Sequence, residues 1–99
     1  MSLNKQKNDD EIFRESIQFH QSGNLNDARK GFSYLISKHP NSPDLLNSLG
    51  TLNLQLGEDN KGCALLEKSL QINPNQPMIS FNLGKSYANQ KKFSKALKF

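Results

Sequence analysis

Apolar residues recur along this chain in short bursts, at steps of three and four, and each burst is closed by a small or polar cluster. Ile12, Phe13, Ile17 and Phe19 precede Ser22-Gly23-Asn24. Ala28, Phe32, Leu35 and Ile36 follow it and run to His39-Pro40. Leu45, Leu46, Leu49, Leu52 and Leu56, with Leu54 additional, stop at Gly57. Leu65, Leu66, Ser69, Leu70 and Asn73 lie along one side of the next stretch, before Asn73-Pro74-Asn75. Met78, Ile79, Phe81, Leu83 and Tyr87 form a fifth burst, and Phe93, Ala96 and Leu97 begin a sixth. Such spacing gathers side chains on one face of a helix, so each burst predicts a helix. Ser42 suits an N-cap, Pro43 the first turn and Asp44 the positive end of the helix dipole.

The bursts repeat with one period. Pro40 and Pro74 lie 34 residues apart, as do Pro43 and Pro77, Gly23 and Gly57, Leu49 and Leu83, and Gly50 and Gly84. Phe32 and Leu66 share the offset, and Ala28, Gly62 and Ala96 form a series at it. The chain therefore divides into a polar leader at 1–8 and units at 9–42, 43–76 and 77–99. Each unit reads as two helices. Gly50 and Gly84 fall mid-helix, where glycine costs up to ~1 kcal/mol relative to alanine. That cost is tolerable where a second helix crosses close to the backbone. Ala28, Gly62 and Ala96 are the small residues expected on the second helices.

This pattern resembles the tetratricopeptide repeat, a 34-residue helical hairpin carrying Leu-Gly, an aromatic, a small residue, a large apolar residue and a late proline. The second unit matches with Leu46, Leu49-Gly50, Gly62, Leu66 and Pro74; the third with Leu83-Gly84, Tyr87 and Ala96. The first has Glu15-Ser16 where Leu-Gly would stand, then matches at Phe19, Ala28, Phe32 and Pro40. Asn53 replaces the aromatic of the second unit, and Asp59 stands where Leu25 and Phe93 stand in the others. The resemblance implies an all-α fold, a right-handed α-solenoid of about two and two-thirds repeats. The third unit stops at Phe99 within its second helix, so a longer repeat protein is expected, this chain being its N-terminal part. The alternative expectation is a short chain whose open C-terminal repeat pairs with a partner or with a copy of itself.

Composition fits this picture. The hydrophobic fraction is 34% and the mean hydropathy −0.72. These are low values for a single compact core, but repeats share a core with their neighbours. No apolar run approaches the roughly 20 residues that span a bilayer, and the N-terminus lacks the apolar core of a secretory signal. The single cysteine, Cys63, allows no internal disulfide. The expected setting is soluble and cytoplasmic, without membrane contact. Net charge is +4, and the last fifteen residues carry Lys85, Lys91, Lys92, Lys95 and Lys98 with no acid. Without arginine or alternating aromatic platforms there, nucleic acid is a disfavoured partner.

Three features of the sequence bear on chemistry. Gly84-Lys85-Ser86 imitates the end of a phosphate-binding loop, but such a loop needs a glycine where Ile79 stands, and a strand before it. His20 and His39 lie nineteen residues apart without metal-ligand spacing, and Cys63 beside Gly62 reads as a small packing residue. No carboxylate pair forms a recognisable acid–base motif. The expectation is a chain that is not an enzyme and needs no cofactor or metal. By the family resemblance, the first helices line a concave groove. Phe13 and Ile17, with Asp10, Arg14 and Gln21, stand at groove positions in the first unit. Asn47, Ser48, Thr51 and Gln55 do so in the second, and Phe81, Asn82, Lys85 and Asn89 in the third. Amides and hydroxyls both donate and accept hydrogen bonds, which suits a peptide backbone. The expected function is a protein-interaction scaffold binding a peptide or partner protein, with no small-molecule substrate. The lysine–asparagine–arginine clamp of chaperone-binding relatives is absent. Asn82 alone matches the asparagine ladder of O-linked glycosyltransferase arms, so the alternative expectation is the substrate-recruiting arm of such an enzyme.

Overall fold

The structure is a computed structural model that describes residues 7–99; residues 1–6 of the expected polar leader lie outside the described residues. The described chain is helical throughout: α1 (Asp9–Gln21), α2 (Leu25–Lys38), α3 (Pro43–Gln55), α4 (Asp59–Ile72), α5 (Pro77–Asn89) and α6 (Phe93–Ala96). The helix starts at 9, 43 and 77, and those at 25, 59 and 93, are each 34 residues apart. Helices pair as hairpins, α1 with α2, α3 with α4 and α5 with α6, and the hairpins stack into a rod of 57 × 25 × 18 Å.

Local signals fix the ends. Asn8 caps α1 in a reciprocal box: its side chain accepts from the Glu11 N–H at 2.9 Å, and Glu11 accepts from the Asn8 N–H. Ser42 accepts from the Leu45 N–H at 3.4 Å, with Pro43 in the first turn. The hairpin turns are copies of one another. The N–H groups of Asn24, Glu58 and Lys92 each donate at 2.8 Å to the carbonyls of Phe19, Asn53 and Tyr87. In each turn the residue immediately before that donor takes a left-handed backbone. Gly23 and Gly57 do so with φ of 85° and 80°, but the third turn places Lys91 there with φ of 60°. A side chain in this region costs roughly 1–2 kcal/mol.

The apolar cores lie between hairpins as well as within them. One joins Ala28, Phe32 and Leu35 of α2 to Leu45, Leu49 and Leu52 of α3. The other joins Cys63, Leu66 and Leu70 of α4 to Leu83 and Tyr87 of α5. Within the second hairpin the helices cross at glycine: a Cβ on Gly62 would sit 2.8 Å from the Gly50 carbonyl oxygen. The first hairpin solves the crossing differently. Ser16 occupies the place of Gly50 and is buried, its hydroxyl donating to the Ile12 carbonyl at 2.7 Å. Gly31 faces it, where the second hairpin has Leu65, and a Cβ on Gly31 would lie 1.8 Å from Ser16 Oγ. Bulk is moved from one helix to the other, which explains why Glu15-Ser16 departs from Leu-Gly without disrupting the hairpin.

Gln76 ties the second and third hairpins together. Its amide nitrogen donates to the Asn73 carbonyl at 2.7 Å and reaches Ser69 Oγ at 3.0 Å, while its oxygen accepts from Asn47 at 2.8 Å. Ser69 is fully buried, and the Asn47 side-chain oxygen is buried without a partner. Gln76 stands 34 residues after the cap Ser42, yet serves as a cross-link between α3, α4 and the start of α5.

Three stability changes follow, each measurable by urea denaturation. Gly31→Ala should destabilise by about 1–3 kcal/mol, because Ser16 must abandon its buried bond, and adding Ser16→Gly should recover much of the loss. Lys91→Gly should stabilise by up to ~1 kcal/mol through relief of the left-handed turn. Gln76→Ala should cost about 1–3 kcal/mol by stranding the Asn47 and Ser69 polar groups, with the largest gain in amide exchange in α5.

Candidate functional site

The first helices α1, α3 and α5 form one side of the rod, and a groove of about 450 Å³ opens between α3 and α5. Thr51 and Gln55, one turn apart, line it from α3. Asn82, Lys85 and Asn89, at steps of three and four, line it from α5. These five come from the thirteen residues that the sequence marks as groove positions. The remaining eight lie elsewhere or have their polar groups engaged.

Phe13 and Ile17 are half-buried against the first core, with the Phe13 ring edge-on to Phe32 at 6.2 Å. Phe13 also borders a smaller hollow between α1, α2 and α3. Asn47 is bonded to Gln76, and the Ser48 hydroxyl turns back to the Asp44 carbonyl at 2.9 Å. Phe81 lies 66% exposed on the terminal face of α5, beside α6. Lys85 reaches both surfaces, bordering the groove and that terminal face. Asp10, Arg14 and Gln21 are exposed on α1.

The groove also contains residues absent from the sequence expectation. Leu54, Ser86 and Gln90 line it from below and Asp59 stands at its rim. Gln90 donates to Ser86 Oγ at 3.1 Å, and Cys63 Sγ lies 3.4 Å from the same hydroxyl. A signal for Ser86 and Gln90 was present: they stand 34 residues after Leu52 and Leu56, polar groups at apolar register positions. At the α1 side, His20 pairs with Gln55, and its ring meets Phe32 edge-on at 6.4 Å. This pairing holds the Gln55 amide at the groove wall.

Groove charge is sparse: among the described residues Lys85 has no ion-pair partner, and Asp59 is a carboxylate at the rim. The strongest ionic cluster is remote, at the outer end of the first hairpin. There Asp9 accepts from His39 at 2.8 Å and from Lys38 at 3.0 Å. The His39 bond, then the Lys38 bond, hold the Asp9 carboxyl below its ordinary value; the Asp9 bond raises Lys38. A lowered carboxyl stabilises the fold above the ordinary carboxylate range, and this contribution is lost as pH falls through the folded value.

Gly84-Lys85-Ser86 lies inside α5, so its amides serve the helix and Lys85 points to the groove. Among the described residues no three His, Cys, Asp or Glu side chains converge on a possible metal position, and no helix is long and apolar enough to cross a membrane. What the groove offers chemically is a row of neutral hydrogen-bonding groups on a rigid helical wall.

No family model and no curated protein sequence matches the chain. Solved structures do. A crystal structure of MamA superposes with a TM-score of 0.85 at 19% identity, over 92% of this chain and 53% of that one. The MamA RS-1 ArsTM double mutant gives 0.83 at 22% identity, over 93% and 52%. The type III secretion translocator chaperone SycD of Yersinia enterocolitica, in an alternative dimer, gives 0.81 at 17% identity, over 89% and 67%. The chain thus spans about half the length of the MamA structures. At these identities the likeness is one of fold: the chain has the tetratricopeptide-type helical-repeat architecture that its 34-residue period predicts.

Proposed function

We propose that this chain is a non-catalytic protein-binding module that holds an extended peptide segment in the groove between α3 and α5. The carrying observation is the row Thr51, Gln55, Asn82 and Asn89 around Lys85, neutral donors and acceptors on two helices that converge on one channel. A peptide backbone presents alternating N–H and C=O groups, which such side chains satisfy without choosing a particular sequence. Lys85 adds attraction for a carboxylate on the bound segment. The likeness to SycD, a translocator chaperone, supports a protein partner. Asn47, Ser48, Phe13 and Ile17 enter this reading as wall and support, their side chains already engaged within the fold, and Phe81 lies outside the channel.

The test is selection of binders from a displayed library of unstructured peptides, followed by titration against the 99-residue chain. Amide shifts at Asn82, Lys85 and Asn89 should accompany binding. Replacing Thr51, Asn82, Lys85 and Asn89 together by alanine should weaken the selected peptides at least about tenfold, since each lost hydrogen bond contributes about 0.5–1.5 kcal/mol. Unchanged affinity in a variant with wild-type helicity and melting would refute the groove assignment.

A further inference from the structure

The two junctions of the stack differ at one register position, and the difference leaves a space. At the second junction the Gln76 side chain fills the angle between α3, α4 and the start of α5, bonded to Asn47 at 2.8 Å and to Ser69 Oγ at 3.0 Å. The same three places, 34 residues earlier, hold Ser42, Phe13 and Leu35. Serine is too short to fill the angle, and the Ser42 hydroxyl is turned to the Leu45 N–H at 3.4 Å. A hollow of about 270 Å³ results. Its walls come from α1, α2 and α3, so it lies within the first junction and not at an end of the rod.

Floor and rim differ in chemistry. Phe13, Leu35 and Leu45 give an apolar floor, where the side chains that Gln76 meets at the second junction are amide and hydroxyl. An amide placed in the first hollow would find no such partners. Asp9, Asp10 and Asp44 stand around the floor. Asp9 is already bonded, to His39 at 2.8 Å and to Lys38 at 3.0 Å. Asp10 and Asp44 are exposed and have no ion-pair partner among the described residues.

This combination selects an occupant. An unbranched apolar stem that ends in a cation suits both parts, because its methylenes cover the floor while its charge stays at the wet rim. The nearby lysines of the chain do not supply it: Lys7 is turned to Glu15 at 2.7 Å, and Lys38 to Asp9. We propose that the hollow receives a lysine or arginine side chain from an extended segment of a partner protein, with the stem on Phe13, Leu35 and Leu45 and the charge at Asp10 and Asp44. This site is separate from the groove between α3 and α5, and it stands or falls independently of that groove.

The probe is a short capped glycine–serine peptide with one central lysine. One control replaces the lysine by norleucine, which keeps the stem and removes the charge; another replaces it by arginine. Each is titrated into the 99-residue chain at low ionic strength, with amide shifts followed by NMR. The lysine and arginine peptides should shift Asp10, Phe13 and Asp44 and bind at least about threefold tighter than the norleucine peptide. That margin should shrink as salt is added. Asp10→Asn with Asp44→Asn should bring the lysine peptide down to the norleucine level. Both residues are exposed, so helicity and melting should stay near wild type. Ser42→Gln, which copies Gln76, should plug the hollow and weaken every peptide at least about threefold. Absence of saturable binding, equal affinity for lysine and norleucine, a margin that survives the double substitution, or shifts at Asn82 and Asn89 in place of Asp10 and Phe13 would each overturn the proposal. So would a gain in affinity on Lys5→Ser, because the chain's own leader would then be the occupant.

Discussion

The structure depends on the burial of one helical hairpin's second helix beneath the next hairpin's first. Phe32 and Leu35 are closed by Leu45, Leu49 and Leu52; Leu66 and Leu70 by Leu83 and Tyr87. A single hairpin has too little apolar surface to offset its conformational entropy, so folding requires the stack. This explains how a chain with 34% hydrophobic residues supports twelve buried apolar side chains among the described residues. The same side chains serve the hairpin and the junction. Burial at the junctions also fixes the first helices side by side, and the groove is the outer consequence of that spacing.

The two ends of the stack meet this constraint unequally. At the first hairpin, carboxylates and amides replace the leucines that a preceding unit would cover, and α1 is content in water. Lys7 pairs with Glu15 and the Asn8–Glu11 box closes the helix, so the polar face is ordered as well as hydrated. At the last hairpin the register positions stay apolar. Cys63 becomes Leu97 and Asp59 becomes Phe93, a shift toward larger apolar groups. The asymmetry belongs to the side chains: polar on the outer face of α1, apolar at the corresponding positions of α5 and α6.

Period and turn chemistry made the fold legible from sequence. Gly23, Gly57, Ser42 and the prolines mark the ends of helices whose faces are set by steps of three and four. Those signals are local, and local signals read well. The site was legible only where helix register alone decides exposure, as at Thr51, Asn82, Lys85 and Asn89. It was obscure where a long-range partner decides. Asn47 occupies a groove position by register, but Gln76, arriving 29 residues later, takes its amide. Phe81 shares that register position and lies at the terminal face, because no further hairpin follows it among the described residues. Ser16 and Gly31 likewise make sense only as a pair, since each departs from the repeat pattern and each compensates the other.

The two junctions are chemically different, and this bears on how firmly the candidate groove's walls are held. The first is filled by Leu45, Leu49, Leu52 and the half-buried Leu56. The second has Ser86 and Gln90 at the positions of Leu52 and Leu56, and holds α5 through Cys63, Gln76 and the Tyr87–Glu67 bond as well as through burial. Hydrogen bonds are directional and contribute little net stability, whereas leucine burial is larger and tolerant of small shifts. The second junction therefore specifies the position of α5 more narrowly while stabilising it less. Local opening should concentrate there, since regions with few buried apolar contacts open first. α5 carries Asn82, Lys85 and Asn89 on one face and Phe81 and Gly84 on another. The helix that carries these candidate groove residues is thus held to its neighbour by a more polar junction than α3 is.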